Sequence, residues 1–274
     1  MYQAVAYNKR TNIVHVWDDQ KGHVEIKYKP YAYRKATYGR LVALDGQTVE
    51  KVYNPQGEEG LYEADINPEM RTLIDLYTDS DEASVGHKTL FIDIEVDIAT
   101  GFPTPEEAQN EVTSIAIYDE AGDQRFVWIL DKDQVVENVQ KPGYEVVSCR
   151  DEHTLLSKFL YTYYEIQPTI ITGWNIDFFD IPYLYNRMVK ILGEKQARSL
   201  SPINDVIWLK HRNRYRISGV SCLDYMALYK NFTYSQESSY SLEAISQKEL
   251  GKGKMKYEGS LDDLMRNDIQ GYID

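Results

Sequence analysis

Thr89-Leu-Phe-Ile-Asp-Ile-Glu-Val-Asp97 places two carboxylates inside a run of β-formers. Leu90, Phe91, Ile92, Ile94 and Val96 predict a short core strand, interrupted only by Asp93 and Glu95. Side chains two apart on a strand share a face, so Asp93 and Glu95 are expected to stand side by side. Burying one carboxylate is costly, and burying two neighbours costs more. The usual compensation is a divalent cation with oxygen ligands. The plain alternative is two acids on the solvated face of an edge strand.

The chain around that strand is 274 residues long, enough for one large domain or two modest ones. Its 43% apolar and 12% aromatic content is that of a folded protein, and its 23 tyrosines suit a surface that mixes stacking with hydrogen bonding. A net charge of −13 argues against a generic nucleic-acid coat protein, which binds by neutralising phosphates. It leaves room for a nucleic-acid enzyme that holds metals and keeps its basic residues in a groove. Cys149 and Cys222 have neither metal nor disulfide spacing, which predicts a reducing compartment. No apolar run approaches the roughly 18 residues of a bilayer span, and no signal peptide opens the chain. A soluble, cytoplasmic protein with no membrane partner is expected.

Upstream of the acidic strand the pattern is β-rich. Tyr2–Tyr7, Ile13–Trp17 and His23–Tyr28 read as strands, with Pro30 ending the third. Leu41–Ala43 and Thr48–Tyr53 flank Asp45-Gly46 as a hairpin. Residues 61–87 form a partly helical connection. Downstream, strands are expected at Val112–Tyr118, Arg125–Leu130 and Thr169–Thr172. A helix capped by Asp151 runs to about Gln167, and another spans Ile181–Leu192, closed by Gly193. Shorter helical segments follow at Asp224–Lys230, Ser241–Leu250 and Leu261–Asp274. Strands alternating with helices predict an α/β sheet covered by helices.

Two further features carry chemistry. Thr172-Gly-Trp-Asn-Ile-Asp-Phe-Phe-Asp-Ile-Pro-Tyr183 sets Asp180 at a helix start, either as an anion-favoured site or as a plain N-cap; Asp177 reads as a loop acid. Val206–Lys210 and Tyr215–Ser218 form a hairpin around His211-Arg-Asn-Arg214. Lys210, Arg212, Arg214 and Arg216 fall within seven residues there, either as a solvated charged hairpin or as phosphate contacts. Gly251-Lys-Gly-Lys-Met-Lys256 is a second basic stretch.

Asp93-Ile-Glu95 on a strand, followed about eighty residues later by Asn175-x-x-x-Phe179-Asp180, resembles the first two exonuclease motifs of family B DNA polymerases. Gly101-Phe-Pro, Ile171-Thr-Gly-Trp-Asn175, Tyr185-Asn-Arg187, Leu223-Asp-Tyr, Tyr240-Ser-Leu242 and Gly253-Lys-Met-Lys-Tyr-x-Gly259 extend it to the replicative polymerases of T-even-type phages. The resemblance implies a β-rich N-terminal domain over 1–87 and, over 88–274, a 3′→5′ proofreading exonuclease of RNase H-like fold with a central mixed sheet. It implies that Asp93, Glu95 and Asp180 hold two Mg²⁺ or Mn²⁺ ions. Asp93 would bridge them, Glu95 would serve the ion that activates water, and Asp180 the ion at the leaving oxygen. Phe102 matches an aromatic that stacks against a frayed 3′ end, and Lys254 a basic residue near the scissile phosphate. Asn175 and Phe179 belong to the DNA-contacting motif, and the hairpin corresponds to a strand-separating one. The implied partner is DNA, as a single-stranded 3′ end or primer-template.

The family's third exonuclease motif, Tyr-x-x-x-Asp, does not occur after Tyr240, and neither do the polymerase palm, fingers and thumb. The sequence therefore reads as the front part of a polymerase, with an exonuclease site impaired in isolation and completed by a polymerase chain or C-terminal part. Two other readings stand beside this one. The chain is a non-catalytic nucleic-acid-binding or interaction subunit, or a freestanding nuclease that recruits Asp268 or Asp274 as its last ligand.

Overall fold

The computed structural model describes all residues except 56, 100, 254–258, 260, 269–270 and 273–274. The chain forms two compact units, residues 1–86 and 87–274.

In the first unit, β1 (Tyr2–Asn8), β2 (Ile13–Asp18) and β3 (Gly22–Lys27) make an antiparallel sheet in that order. A second sheet joins β4 (Tyr31–Lys35), β5 (Leu41–Val42) and β6 (Thr48–Tyr53) in the order β4-β6-β5. Strand β4 corrects the sequence reading, in which Pro30 only terminated a strand. Strand β3 ends at Lys27, ahead of Pro30, and the alternating Tyr-Ala-Tyr behind the proline pairs with β6. Helix α1 (Pro68–Tyr77) opens on Asn67, whose side chain accepts the Met70 N–H.

The second unit is built on seven strands: β7 (Thr89–Val96), β8 (Val112–Asp119), β9 (Gln124–Leu130), β10 (Val139–Lys141), β11 (Tyr144–Cys149), β12 (Ile170–Gly173) and β15 (Ser221–Asp224). Their order is β10-β11-β9-β8-β7-β12-β15. The pairs β11/β9, β7/β12 and β12/β15 are parallel and the others antiparallel, so the sheet is mixed. Strands β10 and β11 were not anticipated: each is short, and neither shows a long apolar run. A separate hairpin pairs β13 (Val206–Leu209) with β14 (Arg214–Ile217). The helices are α2 (Glu152–Ile166), α3 (Asp180–Ile191), α4 (Glu194–Ala197), α5 (Tyr225–Phe232), α6 (Leu242–Leu250) and α7 (Leu261–Asn267).

Strand β7 sits in the interior of the sheet, and its period-two pattern sets its two faces. Leu90, Ile92, Ile94 and Val96 are buried in one core with Leu155, Phe159 and Tyr163 of α2 and Ile181, Leu184 and Met188 of α3. Phe91, Asp93 and Glu95 occupy the other face. Asp151 caps α2 by accepting the Thr154 N–H, and Gln167 closes the helix in the left-handed region. A buried ion pair ties α2 to α3. Arg187 donates to both carboxylate oxygens of Glu152, at 2.7 and 2.6 Å, and to the carbonyls of Ala108 and Gln109. Glu152 also accepts the Val112 N–H at 2.8 Å. Among the described residues, no helix is long and apolar enough to cross a membrane.

Candidate active site

Asp93 and Glu95 lie on the face of β7 opposite the one that packs with α2 and α3. Across the ladder, Asp93 pairs with Ala116 and Glu95 with Ser114. Both partners are small and leave the carboxylates uncrowded. The register slips by one residue just after Glu95, and such a bulge re-aims the side chain beside it.

Asp180 comes from the other side of β7. Ile170–Gly173 pairs in parallel with β7, and the chain then turns sharply through Asn175, which adopts φ 64° and whose carbonyl accepts the N–H groups of Phe178 and Phe179. Gly173 permits this approach: a Cβ there would lie 2.4 Å from the Ile92 carbonyl oxygen and 2.6 Å from Ile176 Cγ2. The N-cap of α3 is Phe179, and Asp180 is the first helical residue. Instead of capping its helix, the Asp180 side chain accepts the Ile94 N–H at 3.1 Å. That bond fixes it against the strand segment between Asp93 and Glu95.

Asp180 is 4% exposed. Burial, with the charges of Asp93 and Glu95, pushes its carboxyl up to about 7 against the N–H donors of Ile94 and of Asp180 itself. Asp180 is held to the strand segment between Asp93 and Glu95 and feels the charge of both, an arrangement of three carboxylates that would suit a pair of divalent ions. The ligand chemistry also fits, since three carboxylates are the hard oxygen donors that Mg²⁺ and Mn²⁺ prefer.

Aromatic groups surround the acids. Phe102 is 75% exposed, and its ring lies 5.6 Å from Phe179, which in turn lies 5.6 Å from Tyr183. Tyr183 is anchored by exchanging hydrogen bonds with the backbone of Asn110. Beside Asp93 runs a groove of about 510 Å³, lined by Phe91, Tyr118, Phe126, Trp174 and Tyr225.

The basic hairpin divides into two parts. Lys210 and Arg212 are exposed at its tip. Arg214 instead turns inward and forms an ion pair with Asp177. Asp177 lies in the turn before α3, as expected of a loop acid, but it is buried and paired, and burial raises it above its usual range despite the pull of Arg214. Arg216 lies 4.0 Å from Asp205, and its Nε is buried without a hydrogen-bond partner among the described residues. Lys254 and Asp274 lie outside the described residues. Asp268 is exposed and accepts the Gly271 N–H in a local turn. Sequence reasoning did not anticipate the contact of Tyr272, whose hydroxyl lies 3.1 Å from Oγ of Ser114, the pairing partner of Glu95, and 3.0 Å from Thr113 Oγ1. No pattern in the sequence points to that long-range contact.

Fold and site together define an α/β domain centred on an acidic cluster. Residues 65–245 match the model of the DNA polymerase family B exonuclease domain, and the chain belongs to that family. Exonuclease domains of this family are RNase H-like, the fold class the sequence implied. The chain is 34% identical over 208 residues to the DNA-directed DNA polymerase of Escherichia phage RB69, covering 66% of this chain and 23% of that protein. It is 34% identical over 211 residues to the DNA-directed DNA polymerase of Enterobacteria phage T4, again 66% and 23%. DNA polymerase 1 of Sulfurisphaera ohwakuensis is 30% identical over 182 residues, 62% of this chain and 19% of that one. The chain thus matches about a quarter of the length of the phage relatives.

Proposed function

We propose that residues 87–274 remove 3′-terminal nucleotides from single-stranded DNA as the proofreading part of a family B polymerase, with two Mg²⁺ or Mn²⁺ ions held by Asp93, Glu95 and Asp180. The observation that carries this reading is the burial of Asp180 against a strand segment flanked by two more acids. Such a group is costly unless a cation answers its charge. Paired metals, when bound, supply a hydroxide near neutral pH and stabilise charge on the leaving 3′-oxygen.

The chain's own residues bind and orient. Asp93 and Glu95 are set by the ladder of an interior strand, and Asp180 by the Ile94 N–H. The exposed ring of Phe102, backed by Phe179, offers a stacking face for a terminal base of any identity. The aromatic groove beside Asp93 suits the preceding bases, and Lys210 and Arg212 suit backbone phosphates. Arg214 serves the fold through Asp177.

The test is degradation of a 5′-labelled single-stranded oligonucleotide with Mg²⁺ or Mn²⁺. Laddering from the 3′ end that Asp93→Ala abolishes supports the proposal. DNA binding without cleavage under either metal, both in this chain and in one extended by a Tyr-x-x-x-Asp segment, favours the non-catalytic binding role. Cleavage indifferent to Asp93→Ala places the chemistry elsewhere.

A further inference from the structure

We propose that the first unit carries a binding site for a divalent transition-metal ion of the zinc class, formed by His15, His23 and Glu25. This is independent of the nuclease reading and lies in the other unit of the chain.

The site follows from strand register. His15 pairs with Glu25 and Trp17 with His23 across β2 and β3, and the two-residue period puts all four side chains on one face. His15 Nδ1 lies 3.0 Å from His23 Nε2 and 3.6 Å from Glu25 Oε1, and one donor atom from each residue falls within 4.8 Å of the other two. Two donors about 2.1 Å from one tetrahedral ion are about 3.4 Å apart, so the observed separations straddle the value a zinc-class ion requires.

Neighbouring residues hold the rings in place. The His23 ring stacks on Trp17 at 4.8 Å and 15°, and on His15 at 5.2 Å and 15°. On the β1 side, the residues opposite His15 and Trp17 are Ala6 and Ala4, too small to push into the cluster. His15 is buried, whereas His23 and Glu25 are exposed, so the cluster opens to solvent on one side. That opening gives an ion its entry path and leaves a fourth position for water.

The donor set selects the ion. Two imidazoles and one carboxylate with an open fourth position are a zinc-type ligand set, and imidazole favours Zn²⁺, Co²⁺ and Ni²⁺ over Mg²⁺. A neutral imidazole keeps its proton on one nitrogen. Each ring therefore offers a lone pair at its inward nitrogen once the proton sits on the outward one.

The experiment titrates the 274-residue chain carrying Asp93→Ala, which weakens the oxygen-ligand site, with ZnCl2 by calorimetry and with CoCl2 by visible absorption. The expected result is one saturable equivalent, with the intense visible band of tetrahedral Co²⁺ displaced by Zn²⁺. Adding His23→Ala is expected to weaken uptake at least tenfold and remove the band, and Glu25→Gln to weaken it less. Both changes are at exposed positions, so circular dichroism should report an unchanged fold, which the buried His15 does not guarantee. Absence of a saturable equivalent, or uptake unaltered by His23→Ala, overturns the proposal and leaves the histidines as a stacked, hydrogen-bonded pair.

Discussion

Glu152 and Asp180 hold matching positions: each is the first residue of its helix, α2 or α3, and they are 6% and 4% exposed. Their surroundings are opposite. Glu152 receives the Nε–H and Nη2–H groups of Arg187 and the Val112 N–H. Asp180 receives the Ile94 N–H and lies where the charges of Asp93 and Glu95 disfavour its own. At Glu152, which serves the fold, the protein supplies the countercharge itself through Arg187. At Asp180 it supplies more acid, an arrangement that a cation from outside can complete.

Removing the charge of Asp180 while keeping its shape separates the two acids most sharply. Asp180→Asn still offers an oxygen to Ile94 N–H, so its melting temperature is expected to match or exceed that of the wild type. Its 3′→5′ hydrolysis is expected to fall about 1,000-fold or more, the loss of several kcal/mol of charge stabilisation. Single-turnover cleavage and a thermal melt on the same sample check both halves. A variant that loses stability together with activity would make Asp180 another Glu152.

Arg187→Met probes the other member. It leaves Glu152 buried without its partner and is expected to cost about 3–5 kcal/mol, read from denaturant unfolding. Gly173→Ala has a smaller expected effect. Its new methyl meets the Ile92 carbonyl, and the strain of about 1–3 kcal/mol should shift β7 enough to lower cleavage as well.

The smallest effect concerns a third buried acid. In Asp131, burial is outweighed by the Val136 N–H, the Ser148 hydroxyl and the Val135 N–H, which hold its carboxyl below the usual range. Its folded value is thus below its unfolded one. The stabilisation is present at neutral pH and is lost as pH falls below the ordinary carboxylate range toward the lower folded value. Asp131→Asn is expected to cost about 1 kcal/mol at neutral pH and to flatten the acid limb of a stability-versus-pH curve.

Much of the site was legible because local rules governed it. Alternation along β7 assigned Asp93 and Glu95 to one face, and Asp151 announced α2 through its cap. What escaped the sequence depends on distant residues meeting. Asp177 reads as a loop acid until Arg214, 37 residues away, is folded onto it. The Glu152–Arg187 pair spans 35 residues, with no spacing rule to connect them. Strands β10 and β11 follow from pairing at the sheet edge more than from their own short sequences. Asp180 lay between the two cases: its helix start was readable, but its turn toward β7 depended on the close approach at Gly173.

Manganese uptake reports whether the acidic face of β7 holds cations. The signal of free Mn²⁺ is followed by electron paramagnetic resonance as protein is added, on a His23→Ala background that silences the imidazole cluster. The expected result is uptake by the otherwise wild-type chain that weakens at least tenfold in Asp93→Ala and in Asp180→Asn but persists in Asp131→Asn. Uptake unchanged by Asp93→Ala and Asp180→Asn would contradict the account and leave the acidic face of β7 without its cation.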